Sequence, residues 1–344
     1  MKLILAKAQK AQDAYKLVQS LQKRFADKLS NLSKEIGQDR VFEEVTWLRD
    51  EGFHGGGSRF ESRDSVLFNT GSVNVSQVHY DEMPEKQLTS ATAISTIIHP
   101  KNPHVPSIHI HISLTELRDG SAYWRVMADL NPSIVNENDK VVFDNALRDL
   151  AGGTYSEGKL QGEKYFDIPA LGRKRGVSHF YLENYKTDDK KQDLLLAQSF
   201  GEGIIDKYIE IITTAFKSRT KISNEDRQEQ LKYHTLYLFQ VLTLDRGTTS
   251  GLLIHDQNDV GIMGSLPSHI NRELLKSWAK KVQAPQDELV LALADVVNDK
   301  GEVNEETKIK LAQVVREHYT KHKDALSLQA SGNSVPKTVG NHND

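Results

Sequence analysis

The run Ser107-Ile108-His109-Ile110-His111-Ile112-Ser113-Leu114 alternates strictly between apolar and polar residues. In an extended chain successive side chains point to opposite faces, so Ile108, Ile110, Ile112 and Leu114 belong to one face and His109, His111 and Ser113 to the other. A strand of this kind buries its isoleucines in a core. It leaves the two histidines on a face shared with neighbouring strands, where either a cleft or a plain polar sheet surface forms. Just upstream, Pro100, Pro103 and Pro106 stiffen the connection into this strand.

Further strand-like runs lie around 72–78, 93–99, 122–130 and 177–182, and the segments 234–245, 251–254 and 260–266 are read as continuing the sheet. Gly55-Gly56-Gly57 is read as a loop. The spacing of Ala8, Ala11, Tyr15, Val18, Leu21, Phe25, Leu29, Leu32 and Ile36 predicts one amphipathic helix over 8–36, with Gly37 as its stop. Further helices are predicted near 137–151, 190–217, 269–282, 286–298 and 304–325, and Ser223 with Asp226 reads as a helix start. Strands in short succession with helices at intervals predict an α+β fold, a large, mainly antiparallel sheet flanked by helices on both sides. The segmentation expected is an N-terminal helix over 1–40, an α+β domain over 41–270, a helical extension over 271–325 and a disordered polar tail over 326–344.

The chain has no cysteine, which excludes disulfides, thiolate zinc sites and cysteine nucleophiles. A formal charge of −3 gives no global attraction to nucleic acid or to an acidic membrane, so an anionic ligand needs its cations gathered locally. The apolar run Leu3–Leu5 is too short for a signal-peptide core, and no stretch approaches a membrane span; the expectation is a cytoplasmic protein.

Several groups carry chemistry. Tyr123, Arg125, Met127 and Asp129 share one face by period two, and Asp129 at a strand end either caps a turn or faces a ligand. Arg173-Lys174-Arg175-Gly176 and Asp245-Arg246-Gly247-Thr248 each set arginine beside glycine. Arginine captures carboxylates bidentately, and glycine lets the backbone turn closely or approach a ligand; a surface ion pair or turn is the structural alternative.

Taken in order, these segments resemble the aerobic coproporphyrinogen III oxidase family. The resemblance covers roughly residues 40 to 270. It is carried by Gly55-Gly56-Gly57-Ser58-Arg59, Val73-Asn74-Val75-Ser76, the His-Pro-x-Asn-Pro-x-x-Pro run over 99–106, Ser107-x-His109 and Asp129-Leu130-Asn131-Pro132. It continues through Arg175-Gly176-Val177, the Asp-Arg-Gly-Thr-x-x-Gly-Leu run over 245–252 and Ser265-Leu266-Pro267. The resemblance implies a flat antiparallel sheet flanked by helices and a homodimer. It implies a reaction that converts two propionates of coproporphyrinogen III to vinyl groups, with oxygen as the oxidant and protoporphyrinogen IX, carbon dioxide and hydrogen peroxide as products. No organic cofactor is implied, and a divalent metal requirement is left open. It gives Asp129 the role of accepting pyrrole N–H bonds, and Arg175 and Arg246 the role of clamping propionates. His109 would shuttle a proton, with Ser76 and Asn74 as further substrate-binding residues.

The chain also departs from the family pattern. An Asn and an Arg expected in the histidine strand are His111 and Ser113, an expected Glu-Lys is Asn69-Thr70, and a glycine pair after Arg175-Gly176-Val177 is Ser178-His179. The approach to Asp129 keeps only Tyr123-Trp124 of an aromatic and glycine run. Arg125 and Lys174 are the neighbours that would compensate for the missing arginine. Two other readings stand beside this one. His109, His111 and Glu116 have the spacing of a first cupin motif, which implies a β-barrel oxygenase or isomerase with His109 and His111 as metal ligands. Alternatively, the fold serves as a non-catalytic tetrapyrrole-binding module with its C-terminal helices on a partner.

Overall fold

A computed structural model of the chain describes residues 3–37, 42–254 and 258–334. Its centre is an antiparallel sheet of seven strands in the order β1-β2-β3-β4-β5-β6-β9. These are β1 (Glu43–Leu48), β2 (Gly55–Arg63), β3 (Phe68–His79), β4 (Leu88–Pro100), β5 (Ser107–Leu117), β6 (Ala122–Asn131) and β9 (Ser178–Tyr185); the two-residue strands β7 (Asp167–Ile168) and β8 (Arg173–Lys174) form a small separate ribbon. The alternation of β5 is realised: Ile108, Ile110 and Ile112 are at most 1% exposed and face a core built with α1 (Gln9–Leu32), α2 (Glu137–Ala151) and α4 (Lys190–Ser218). Leu21, Phe25 and Leu29 of α1 meet Phe200, Ile204 and Tyr208 of α4 in this core.

The opposite face is covered by α5 (Asn224–Thr243), α6 (Arg246–Ile254), α7 (Asp259–Ile262), α8 (Arg272–Ser277), α9 (Gln286–Val296) and α10 (Glu305–Lys321). A second core, centred on Leu238, Leu242, Leu275, Leu289, Leu293, Leu311 and Val315, joins α5 to α8–α10 and reaches the sheet at Ile97. The helices beyond residue 270 therefore share their core with the preceding segment. The α+β class with helices on both faces is the architecture observed.

Three local expectations are corrected. The 234–245 run is helical. Every residue from Tyr233 to Thr243 is buried, so α5 shows no polar face and its sequence lacks a helical period. Residues 251–254 end α6, and 260–266 form α7 and a tight turn instead of strands. Gly55–Gly57 open β2 because only glycine fits there. A Cβ at Gly55 would stand 2.0 Å from the Gln77 carbonyl oxygen, and one at Gly57 2.0 Å from that of Val75.

The helix α3 (Tyr155–Tyr165), not anticipated from sequence, covers the free edge of β9. Gly158 and Gly162 let it approach closely, for a Cβ at Gly158 would lie 2.1 Å from the Phe180 ring. Gln161 Oε1 accepts the Glu183 N–H at 3.0 Å, so α3 satisfies an edge strand with no further strand beside it. Of the expected polar tail, 326–334 fold against the body, with Ala330 N–H donating to the Leu244 carbonyl at 2.9 Å. Residues 335–344 lie outside the described residues.

Candidate active site

The strand register sets the side chains of the open face in rows. One row runs Asn74, Ser95, His111, Met127 and Tyr181 across β3 to β9, and a second Ser76, Ala93, Ser113 and Arg125. A third runs Ser72, Ile97, His109, Asp129 and His179. Apart from the buried Asp129 and His179, these rows form the floor of a cleft of about 300 Å³, walled by Tyr237 and Val241 of α5 and by α6, with Arg246, Thr248 and Ser250. The polar side of the β5 alternation is thus a cleft floor. Asn74, Ser76, His109, His111, Arg175 and Arg246 all line this one cavity.

At the deep end Asp129, His109 and Arg175 are in mutual contact. Asp129 is fully buried. Its Oδ1 lies 3.1 Å from His109 Nδ1, and its Oδ2 accepts from Arg175 Nη2 at 2.8 Å and from Asn131 Nδ2 at 2.6 Å. Burial alone would raise the Asp129 carboxyl, but Arg175, followed by His109, holds it well below the usual carboxylate range. Arg175 is 1% exposed and also donates to Gln240 Oε1 at 2.6 Å, with its guanidinium over the Phe166 ring at 4.6 Å and over Tyr237 at 5.1 Å. The chain reaches this position through Gly176 at φ 78°, where a Cβ would stand 2.6 Å from Asn131 Oδ1.

Asp129 and Arg175 form a buried ion pair, and Arg175 also lines the cleft. The pair meets His109, which also lines the cleft. His109 Nδ1 faces Asp129 Oδ1 at 3.1 Å and Arg175 Nη2 at 3.2 Å, and it serves the carboxylate only as a donor.

Arg246 is the first residue of α6. It lines the cleft and is paired through Nη2 with Glu183, while Nε and Nη1 are buried with no hydrogen-bond partner among the described residues. Such donors carry a large desolvation penalty until an acceptor arrives. The preceding Asp245 fixes the start of α6, accepting the Thr248 N–H at 2.7 Å and the Tyr165 hydroxyl at 2.8 Å. Arg125 faces Ser113 directly across β5 and β6 and lines the same wall, whereas Lys174 sits 3.7 Å from Glu163 and 3.8 Å from Asp167.

His111 is bonded to Ser113 Oγ at 2.9 Å, and burial, then Arg125 and His109, pushes it down to about 3, so it is a neutral wall residue at ordinary pH. Glu116 points to the other face of β5 and accepts from Ser90 Oγ at 2.8 Å, so it does not join the histidines. Among the described residues no group of three or more metal-ligating side chains converges, and the sheet is open, which removes the barrel on which the cupin reading depended.

Gln240, Asn131, Tyr165 and Glu183 were not anticipated. Tyr165 and Glu183 come from α3 and β9, and Gln240 from a helix read as a strand, so no local pattern marks them. Asn131 alone had a signal, as part of the Asp129-Leu130-Asn131-Pro132 turn.

The human oxygen-dependent coproporphyrinogen-III oxidase, mitochondrial, is 27% identical over 261 residues, covering 67% of this chain and 56% of the human protein. The rat protein of the same name is 27% identical over 256 residues, covering 67% of this chain and 57% of its own length. The match spans little more than half the length of these relatives. The family model described as coproporphyrinogen III oxidase matches residues 13–298, from within α1 through α9, and the chain belongs to the coproporphyrinogen III oxidase family.

Proposed function

We propose that the protein catalyses the oxidative decarboxylation of coproporphyrinogen III to protoporphyrinogen IX, with oxygen as the oxidant. The observation that carries this reading is the pairing of two Arg246 donors, without a partner among the described residues, with a polar strand floor that ends at the His109–Asp129–Arg175 triad. In each half-reaction a propionate loses its carboxylate carbon as carbon dioxide. A hydrogen leaves the β-carbon with its bonding electrons, and oxygen takes up the two electrons and two protons as hydrogen peroxide. One proton comes from the substrate and one from solvent, which balances the step.

The residues of this chain supply position and charge. Arg246 binds one carboxylate, and Arg125 takes the place beside Ser113 where a family arginine is absent. Asn74 and Ser76 hydrogen-bond to the ring substituents. His109 moves a proton at Nε2, while Asp129, accepting from Nδ1–H, fixes the ring and the tautomer that makes this nitrogen available, and Arg175 holds Asp129 in place. The reduced macrocycle is itself reactive toward oxygen, so orientation and electrostatics are the protein's part. No organic cofactor enters the scheme, a divalent metal remains to be tested by metal analysis, and a homodimer is the expected assembly.

The test is stoichiometry. One oxygen consumed and one carbon dioxide released per vinyl group formed supports the scheme. Tight binding of the porphyrinogen with no gas exchange would favour the non-catalytic alternative.

A further inference from the structure

The C-terminal residues 329–334 lie beyond the segment shared with the family, and they converge on one side chain of the cleft. Gln329 Nε2 donates to Thr249 Oγ1 at 2.6 Å, and Ala330 N–H donates to the Leu244 carbonyl at 2.9 Å. These two bonds bracket Arg246 in sequence. Ala330 also packs on Met127, Tyr165 and Tyr181, all of which line the cleft. Lys164 Nζ donates to the Gly332 carbonyl at 2.6 Å. Ser334 then donates to Glu183 Oε2 from its N–H at 2.8 Å and from its hydroxyl at 3.2 Å.

Glu183 is the counter-ion of Arg246, and it is 1% exposed. Its Oε1 takes Arg246 Nη2, and its Oε2 is occupied by Ser334. We propose that residues 329–334 form a strap that positions Arg246 for its ligand by occupying one oxygen of Glu183. With Oε2 filled, Arg246 engages Glu183 through one nitrogen only. Its Nε and Nη1 then stay buried without a hydrogen-bond partner among the described residues, spared for a carboxylate that enters the cleft. Without the strap, a buried carboxylate with an empty oxygen draws the guanidinium into a two-point pair, the favoured geometry for these groups, and those donors are lost to the cleft. Gly332 fits this packing closely, since a Cβ there would stand 2.8 Å from Glu183 Oε2 and 3.0 Å from Gln161 Oε1. Glu183 and Ser334 are positioning residues here, acting through Arg246.

The ligand half of this proposal rests on the tetrapyrrole reading above; the structural half does not. The experiment compares the full chain with Ser334→Pro, which removes the N–H donor, with Ser334→Thr, which keeps both donors, and with a deletion from Gln329 onward. Hydrogen exchange is read over 178–185 and 244–254, and KM and kcat are measured with coproporphyrinogen III. Ser334→Pro and the deletion should exchange faster in both segments and raise KM about tenfold, the scale of losing hydrogen bonds to a charged group, with kcat within about twofold. Ser334→Thr should match the unaltered chain. Unchanged exchange in both Ser334→Pro and the deletion would overturn the strap, as would a fall in kcat with KM constant. Absence of turnover in the unaltered chain counts against the proposed function, and the exchange comparison then decides the strap on its own.

Discussion

Asp129→Asn isolates what the buried pair does. The substitution keeps the side-chain volume but leaves the Arg175 guanidinium, 1% exposed, without its counter-charge. Breaking a buried ion pair at one partner costs about 3–5 kcal/mol. With an unfolding entropy of about 2.1 cal/mol/K per residue, the 344-residue chain carries roughly 0.7 kcal/mol/K, so Tm should fall by about 4–7 °C. Differential scanning calorimetry at pH 7 measures this. The double variant Asp129→Asn with Arg175→Gln should regain part of the loss, because it removes the orphaned charge as well. The sign with pH follows from the depressed Asp129 carboxyl. Its contribution is present above the unfolded value of about 3.9 and is lost as pH falls through the lower folded value, so the gap between protein and variant should narrow only in strong acid. A Tm for Asp129→Asn within about 1 °C of the unaltered protein would refute the reasoning, since a pair worth 3–5 kcal/mol cannot vanish silently.

Arg246→Lys keeps the charge but not the fork, and steady-state kinetics should show KM raised roughly tenfold or more with a smaller change in kcat. His99 and His234 are both buried and held below the usual imidazole range, chiefly by burial, so each stays neutral in the folded state while the unfolded chain takes up a proton. Their contribution is complete above about pH 6.5 and falls as pH drops; urea titration at pH 7 and pH 5 should show a loss of about 2 kcal/mol from His234 and a further loss from His99. Gly158→Ala drives a methyl into the Phe180 ring and should destabilise by about 1–3 kcal/mol in the same denaturation assay.

How far the sequence reached depended on which residues face water. The stretch 137–151 is a helix as expected, because one face is polar and the Asn136 side chain caps the first turn at Asp139 N–H. β5 was legible for the same reason, one face being core and the other cleft. α5 was not, because it is buried all round from Tyr233 to Thr243, and a helix without a wet side carries no period. Gly55–Gly57 misled for a related reason: glycine marks a close approach as readily as a loop, and the partner that comes close is distant in sequence. At the site, His109, Asp129, Arg175 and Arg246 were each visible within a local motif. Their pairing was not, since Arg175 meets Asp129 across 46 residues and Arg246 meets Glu183 across 63.

The most direct test of the account is aerobic turnover of coproporphyrinogen III by metal-stripped protein, read as protoporphyrin fluorescence after oxidation of the product. The account predicts steady formation of protoporphyrin and its loss in His109→Gln, which retains the fold but not the transferable proton. Folded protein that forms no protoporphyrin, with or without added divalent metal, would contradict the proposed activity and leave the cleft as a site for a different acidic ligand.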